Sequence, residues 1–118
     1  SLPTFMLTHW TRDRTRGEKL PLELIVKRQT SSTASIYGLH DRGLIKPGYI
    51  ADFNLIDYDK LTLHAPHFVA DLPAGGRRIV QEADGYLATI KAGETIFENG
   101  HPTGAMPGKL VRGPQNAS

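Results

Sequence analysis

A chain of 118 residues that is 39% hydrophobic and 22% charged has the size and make-up of one ordinary globular domain, which excludes a wholly disordered chain. Its formal net charge of +2 is too small for the broad basic surface of a nucleic-acid binder, and with no Cys it has no disulfide framework, thiolate nucleophile or Cys-ligated zinc. Its longest apolar runs are a few residues, against the ~20 that a bilayer span needs, so a reducing, cytoplasmic setting is expected and neither membrane nor nucleic acid is an expected partner.

The chain opens on Ser1-Leu2-Pro3-Thr4-Phe5 without an initiator Met, as expected of a stretch cut from a longer protein. A local basic excess follows, made of Arg12, Arg14, Arg16, Lys19, Lys27 and Arg28. Asp13, Glu18 and Glu23 interrupt it and no helix-turn-helix pattern accompanies it, so it reads as a solvated face. Over residues 20–29, Pro21 suits a first helical turn, and Leu22, Ile25 and Val26 fall at i, i+3 and i+4. Lys27 and Arg28 complement the C-terminal end of that helix. Thr30 or Ser31 is placed to cap a second short helix through Ile36 and Tyr37, which Gly38 would stop in the left-handed conformation. His40-Asp41, just past that stop, reads as a turn pair and not as a catalytic dyad.

The pattern changes at Pro47-Gly48. Phe53 and Leu55 then alternate with polar neighbours, which predicts a strand. Residues 86–91 and 94–98 flank Ala92-Gly93 and predict a hairpin, closed by Asn99-Gly100. Residues 77–81, after Ala74-Gly75-Gly76, are a weaker strand, and the proline-flanked residues 63–72 read as irregular loop. The aperiodic tail from Pro102 is expected to lie over the surface and fray at residues 116–118. Helices first and strands afterwards give an α+β chain, whose three- or four-stranded sheet would keep one open edge in need of a partner. Phe53, Leu55, Ile90 and Ile96 would turn apolar side chains into a layer that this chain only half builds.

Metal-assisted hydrolysis requires several N or O ligands converging on one ion, with an open position for water. Among the five His, the nearest approach to a cluster is His64 and His67 with Asp71. Pro66 separates the two imidazoles, and neither helix nor strand spacing makes them converge, so they read as loop residues. No Ser sits in a Gly-x-Ser-x-Gly elbow, and Gly75-Gly76 before Arg77-Arg78 lacks the spacing of a phosphate loop and reads as a tight turn. No residue is assigned as catalytic, cofactor-binding or metal-ligating.

Residues 43–57 (GLIKPGYIADFNLID) resemble the passage of an amidohydrolase chain from its barrel into its small β-sandwich, and residues 88–100 (ATIKAGETIFENG) resemble the last strands of that sandwich. Residues 7–14 (LTHWTRDR), 71–78 (DLPAGGRR) and 102–113 (PTGAMPGKLVRG) narrow the resemblance to the N-acyl-D-amino-acid deacylase (D-aminoacylase) branch, and nearly the whole chain is covered. Thr33 departs from the pattern, because many amidohydrolases carry Pro at the start of the last barrel helix.

The resemblance implies that residues 1–42 are the mostly helical end of a (β/α) barrel and residues 43–118 the C-terminal sandwich strands and tail. It implies a zinc-dependent parent hydrolysing N-acyl-D-amino acids to a carboxylate and a D-amino acid. The family's His-x-His, its further ligands and its late general-base Asp would all precede Ser1. This chain would then bind no zinc itself, and its partner would be the remainder of the parent chain, to which the small-molecule substrate also belongs. His9 would follow the last barrel strand, where active-site loops gather, although a structural role for Trp10 and an Arg12–Asp13 ion pair is the favoured reading there. Two alternatives remain: the tail of a related cyclic-amide hydrolase, and a self-sufficient β-rich binding or scaffolding module.

Overall fold

The computed structural model describes residues 1–116. Helix α1 (Leu2–Phe5) carries Pro3 in its first turn, where no backbone N–H is needed, and runs directly into a π-helical segment, Met6–Asp13. The hydroxyls of Thr8 and Thr11 return to the carbonyls of Thr4 and Leu7, the acceptors that an α-helix would give to its own N–H groups. The wider winding ends with the Arg14 N–H on the His9 carbonyl at 2.8 Å.

Helix α2 (Leu22–Gln29) begins after Pro21, with Glu23 in its first turn and Lys27 and Arg28 in its last, so both ends suit the helix dipole. Ile25 is buried, but Val26 is exposed, since only a narrow stripe of α2 meets the rest of the chain. Helix α3 (Ser31–Ile36) starts at Thr30, whose hydroxyl bonds back to the Val26 carbonyl at 2.7 Å and so does not cap the new helix. Gly38, at φ 69°, follows its end as expected.

The strands are β1 (Phe53–Ile56), β2 (Thr62–Leu63), β3 (His67–Val69), β4 (Arg78–Val80), β5 (Ala83–Asp84), β6 (Tyr86–Lys91), β7 (Glu94–Glu98) and β8 (His101–Pro102). They form an antiparallel sheet in the order β1-β6-β7-β8 and two antiparallel pairs, β2 with β5 and β3 with β4. The predicted hairpin turns through Ala92 (φ 53°) and Gly93 (φ 83°), and Asn99 (φ 47°) with Gly100 (φ 81°) repeats that geometry between β7 and β8. Two positive φ values in a two-residue loop match the twist of the flanking strands. Residues 63–72 are not the irregular loop that their prolines suggested. Pro66 and Pro73 flank β3 without interrupting it, and Phe68 lies opposite Ile79.

Direct pairing puts Phe53, Leu55, Ala88 and Ile90 on one face of the larger sheet, and Asn54, Thr89, Phe97 and Pro102 on the other. The Thr89 hydroxyl donates to Asn54 Oδ1 at 2.8 Å on that second face. Ile96 falls at a bulge between the Thr89/Phe97 and Ile90/Thr95 pairs, so it does not join the row expected of it. Phe53, Leu55, Leu87 and Phe97 are all exposed.

The core lies elsewhere. Leu7, Ile25 and Leu61 are buried together, with Met6, Leu20, Leu22, Ile56 and Tyr86 packed around them, and Leu61 is 0% exposed. Gly85 makes this possible: at φ 97° its missing Cβ would stand 2.7 Å from the Leu61 Cα. Its carbonyl also accepts the Asp57 N–H at 2.8 Å. A radius of gyration of 16.5 Å exceeds the about 13.5 Å of a compact domain of this length, so the molecule is flat and thinly filled.

At the margin of the larger sheet, Asp52 receives Lys91 Nζ at 2.9 Å, the Ala92 N–H at 2.8 Å and Arg42 at 3.6 Å. The tail is tied down by Gln115, whose N–H bonds the Gly38 carbonyl and whose carbonyl accepts the His40 N–H, both at 2.8 Å. Asn116 is exposed, and Ala117 and Ser118, where fraying was expected to end, lie outside the described residues.

Leu61→Ala is expected to lower unfolding stability by about 2–5 kcal/mol, seen as a lower denaturant midpoint, because among the described residues no other large side chain is so completely enclosed. Burial pushes the Asp52 carboxyl up, but Lys91, the Ala92 N–H and Arg42 together hold it below its ordinary 3.8. A carboxyl depressed in the folded state stabilises fully above its unfolded value and loses that contribution as pH falls through the folded one. Asp52→Asn should therefore destabilise the chain at pH 7, and the deficit should shrink below about pH 4 in urea titrations of both proteins.

Candidate functional site

Chemistry-bearing side chains gather at the C-terminal end of the π-helical segment. The His9 ring stacks on Phe5 at 4.8 Å with an interplanar angle of 7°, and meets Trp10 edge-on at 5.6 Å. Two open hollows border His9. One, of about 400 Å³, is lined by His9, Trp10, Arg14, Thr15 and Arg16. The other, of about 500 Å³, takes in Thr8, His9, Arg12, Asp13, Leu63 and His64. A largely apolar concavity with a few convergent polar groups is the ordinary form of a small-molecule site.

Arg12 is occupied. It pairs with Asp13 through Nε at 2.7 Å and Nη2 at 3.0 Å, and gives its remaining donors to the carbonyls of Tyr58, Asp59 and Leu61. Hydrogen bonding to Arg12 holds the Asp13 carboxyl below its usual range, against the opposing effect of burial. The pair is therefore a fixed ionic clamp, as the sequence suggested, while His9 is left facing both hollows.

The grouping of His64, His67 and Asp71 dissolves in three dimensions. His64 Nε2 lies 2.8 Å from Asp84 Oδ2, and the His64 carbonyl accepts the Gln81 amide at 2.9 Å. His67 sits on β3 opposite Val80. Asp71 is held in two hydrogen bonds, at 2.8 and 2.6 Å, by Arg78, which keeps its carboxyl below the usual range. Asp41 is nearly buried and paired with Arg42, and its carbonyl accepts the Ile50 N–H, so with His40 it forms a turn and no dyad. Gly75 and Gly76 close a turn through the Gly76 N–H on the Pro73 carbonyl at 3.2 Å. Among the described residues no three His, Asp or Glu side chains converge, so the donor set does not fit a zinc ion.

Three features of the site were invisible in the sequence because their partners are remote. These are the His64–Asp84 pair, the 2.6 Å hydroxyl contact of Thr11 with Tyr58, and the 2.7 Å contact of Thr4 with Tyr86. No helix among the described residues is long and apolar enough to cross a membrane.

A family model described as the amidohydrolase family matches residues 3–97, from α1 into β7. A curated relative, the 5-methylthioadenosine/S-adenosylhomocysteine deaminase of Halothermothrix orenii, is 37% identical over 49 residues, which are 42% of this chain and 11% of the relative. The matched stretch thus covers about a tenth of that relative's length, and no solved structure matches this chain. With the family match running through the helical first part of the chain and nearly all of the strands, the chain belongs to the amidohydrolase family.

Proposed function

We propose that this chain is the closing portion of a zinc-dependent amidohydrolase that converts N-acyl-D-amino acids to a carboxylate and a free D-amino acid. Residues 1–42 would be the end of the barrel and residues 43–118 the sandwich strands and tail, with the catalytic centre on the rest of the parent chain. The observation that carries this reading is the family match over residues 3–97. Residues 7–14, 71–78 and 102–113 support the D-aminoacylase branch by their resemblance to it. Zinc is assigned to residues of the parent beyond this chain, since the donors described here disperse to other partners.

On this reading the Arg12–Asp13 clamp fixes the end of the last barrel segment and presents His9 toward the substrate side. The exposed face bearing Phe53 and Leu55 is the half-layer that other sandwich strands of the parent would cover. A second reading, a hydrolytic deaminase, is favoured by the 37% identity to the deaminase from Halothermothrix orenii. Both readings replace a C–N bond by attack of water, and pocket residues elsewhere in the parent would separate them.

The 118-residue chain alone is expected to turn over neither N-acetyl-D-amino acids nor 5-methylthioadenosine, with or without added zinc. Metal-dependent turnover by the chain, lost on chelation, would overturn this, and the substrate preference of the full parent decides between the two readings. The chain alone should also self-associate or unfold with low cooperativity, because its sheet leaves Phe53, Leu55, Leu87 and Phe97 in water. A monomer in sedimentation with one sharp unfolding transition would favour the self-sufficient module instead.

A further inference from the structure

Four arginines of this chain are held by defined contacts, and three of them answer a carboxylate: Arg12 with Asp13, Arg42 with Asp41 and Arg78 with Asp71. Arg14 is the fourth. Its guanidinium lies over the Trp10 ring at 4.4 Å, and its Nε donates to the Arg16 carbonyl at 2.7 Å. Gly17 leaves room for it, since a Cβ there would stand 3.0 Å from an Arg14 Nη. Stacking, one hydrogen bond and this close backbone fix the plane of the side chain, so its rotamer entropy is already lost. Yet among the described residues Arg14 forms no ion pair, and its two Nη groups donate to no protein acceptor. Among the described residues Arg16, Arg28, Arg77 and Arg112 also have no carboxylate partner, but they are exposed and not held, whereas Arg14 is half-buried.

That free edge belongs to the side chain of a residue lining the 400 Å³ hollow, beside His9, Thr15 and a second guanidinium, Arg16. No Asp or Glu lines this hollow. The nearby C-terminus of the π-helical segment contributes about half a negative charge, against two full positive ones. A rigid guanidinium presenting two parallel N–H donors is the geometry that recognises a carboxylate or phosphate in two hydrogen bonds.

We propose that the Nη edge of Arg14 is an oxyanion-binding site, taking the carboxylate or phosphate group of a small molecule seated in the hollow between His9, Trp10 and Arg16. It is separate from the zinc chemistry assigned to the parent and does not depend on the identity of the parent's substrate. Arg14 supplies the bidentate contact, Arg16 adds charge and the Thr15 hydroxyl a further donor.

The chain has one tryptophan, so emission, read at a concentration where circular dichroism shows the chain folded and sedimentation shows one constant size with and without each salt, reports on Trp10 alone. Acetate and inorganic phosphate are titrated at constant ionic strength, with chloride as the balancing salt. At least one of the two should change the emission saturably, with a Kd on the order of millimolar, while chloride does not. Tighter acetate binding assigns a carboxylate ligand, and tighter phosphate binding assigns a phosphate. Arg14→Gln should weaken binding at least about tenfold, Arg14→Lys several-fold through loss of the planar fork, and Arg16→Gln about threefold. Arg28→Gln, the same charge change at a distance, should stay within about twofold. The absence of any saturable change, chloride acting as well as the oxyanions, or Arg14→Gln titrating like the unmodified chain would overturn the site. Should Arg14→Gln fail to fold by circular dichroism, unchanged affinity in both Arg14→Lys and Arg16→Gln overturns it equally.

Discussion

The seam between the Met6–Asp13 helical segment and the turn at residues 58–61 carries the fold. A turn bent this sharply pairs its carbonyls incompletely with the backbone, that of Tyr58 taking the Leu61 N–H at a long 3.4 Å, and near a core such groups must be satisfied. Arg12 answers the carbonyls of Tyr58, Asp59 and Leu61 together, and Asp13 neutralises the charge it brings. With the turn so held, Leu61 drops between Leu7 and Ile25, and the Thr11–Tyr58 and Thr4–Tyr86 hydroxyl contacts run alongside. Gly85 closes the arrangement from the sheet side by leaving its Cβ position empty against the Leu61 backbone. The same clamp places His9, Trp10 and Arg14 at the exposed end of the segment, so stability and candidate site share one structural element.

Beyond this seam the chain is thinly packed. Apolar side chains of β1, β6 and β7 stand in water, as do Phe68 and Ile79 on the β3–β4 pair, Ile36 at the end of α3, and Tyr37 and Ile45 after it. Charged and polar contacts do much of the positional work instead. Asp52 gathers Lys91, Arg42 and the Ala92 N–H at one corner of the sheet, and Gln115 fastens the tail to the chain at Gly38 and His40. Partly solvated contacts of this kind fix geometry more than they add stability, which suits a chain whose curated relative is roughly four times its length.

What could be read early was local. Ala92-Gly93 announces a two-residue turn because the backbone geometry sits in the pair itself, and it lies where expected, while Asn99-Gly100, read only as the close of that hairpin, turns the chain into β8. Helix α2 was legible through Pro21, Ile25 and its terminal charges, all within one short span. The β3–β4 pairing was not, because a three-residue strand directly after Pro66 carries too little pattern, and the strand exists only through Arg78, Ile79 and Val80 opposite it. The same limit governs the site. The Arg12–Asp13 pair is adjacent in sequence and was legible, while the spacing of His64, His67 and Asp71 gave no sign of the partner that His64 takes, Asp84, twenty positions on. Arg14 was taken for part of a solvated basic face, because nothing linear shows that Trp10, the Arg16 carbonyl and Gly17 immobilise it without supplying an anion.

By itself the sequence determined the helix-then-strand order, the hairpin turns and the amidohydrolase resemblance, since each rests on residues close together or on motifs read in order. Only the tertiary structure decided which apolar residues are buried, because Leu61 is enclosed by Leu7 and Ile25 while Phe53 and Leu55, on a better strand pattern, find nothing to pack against. It also decided which charges are spent and which are free. That depends on distances between residues far apart in the chain, and composition and spacing carry no record of them.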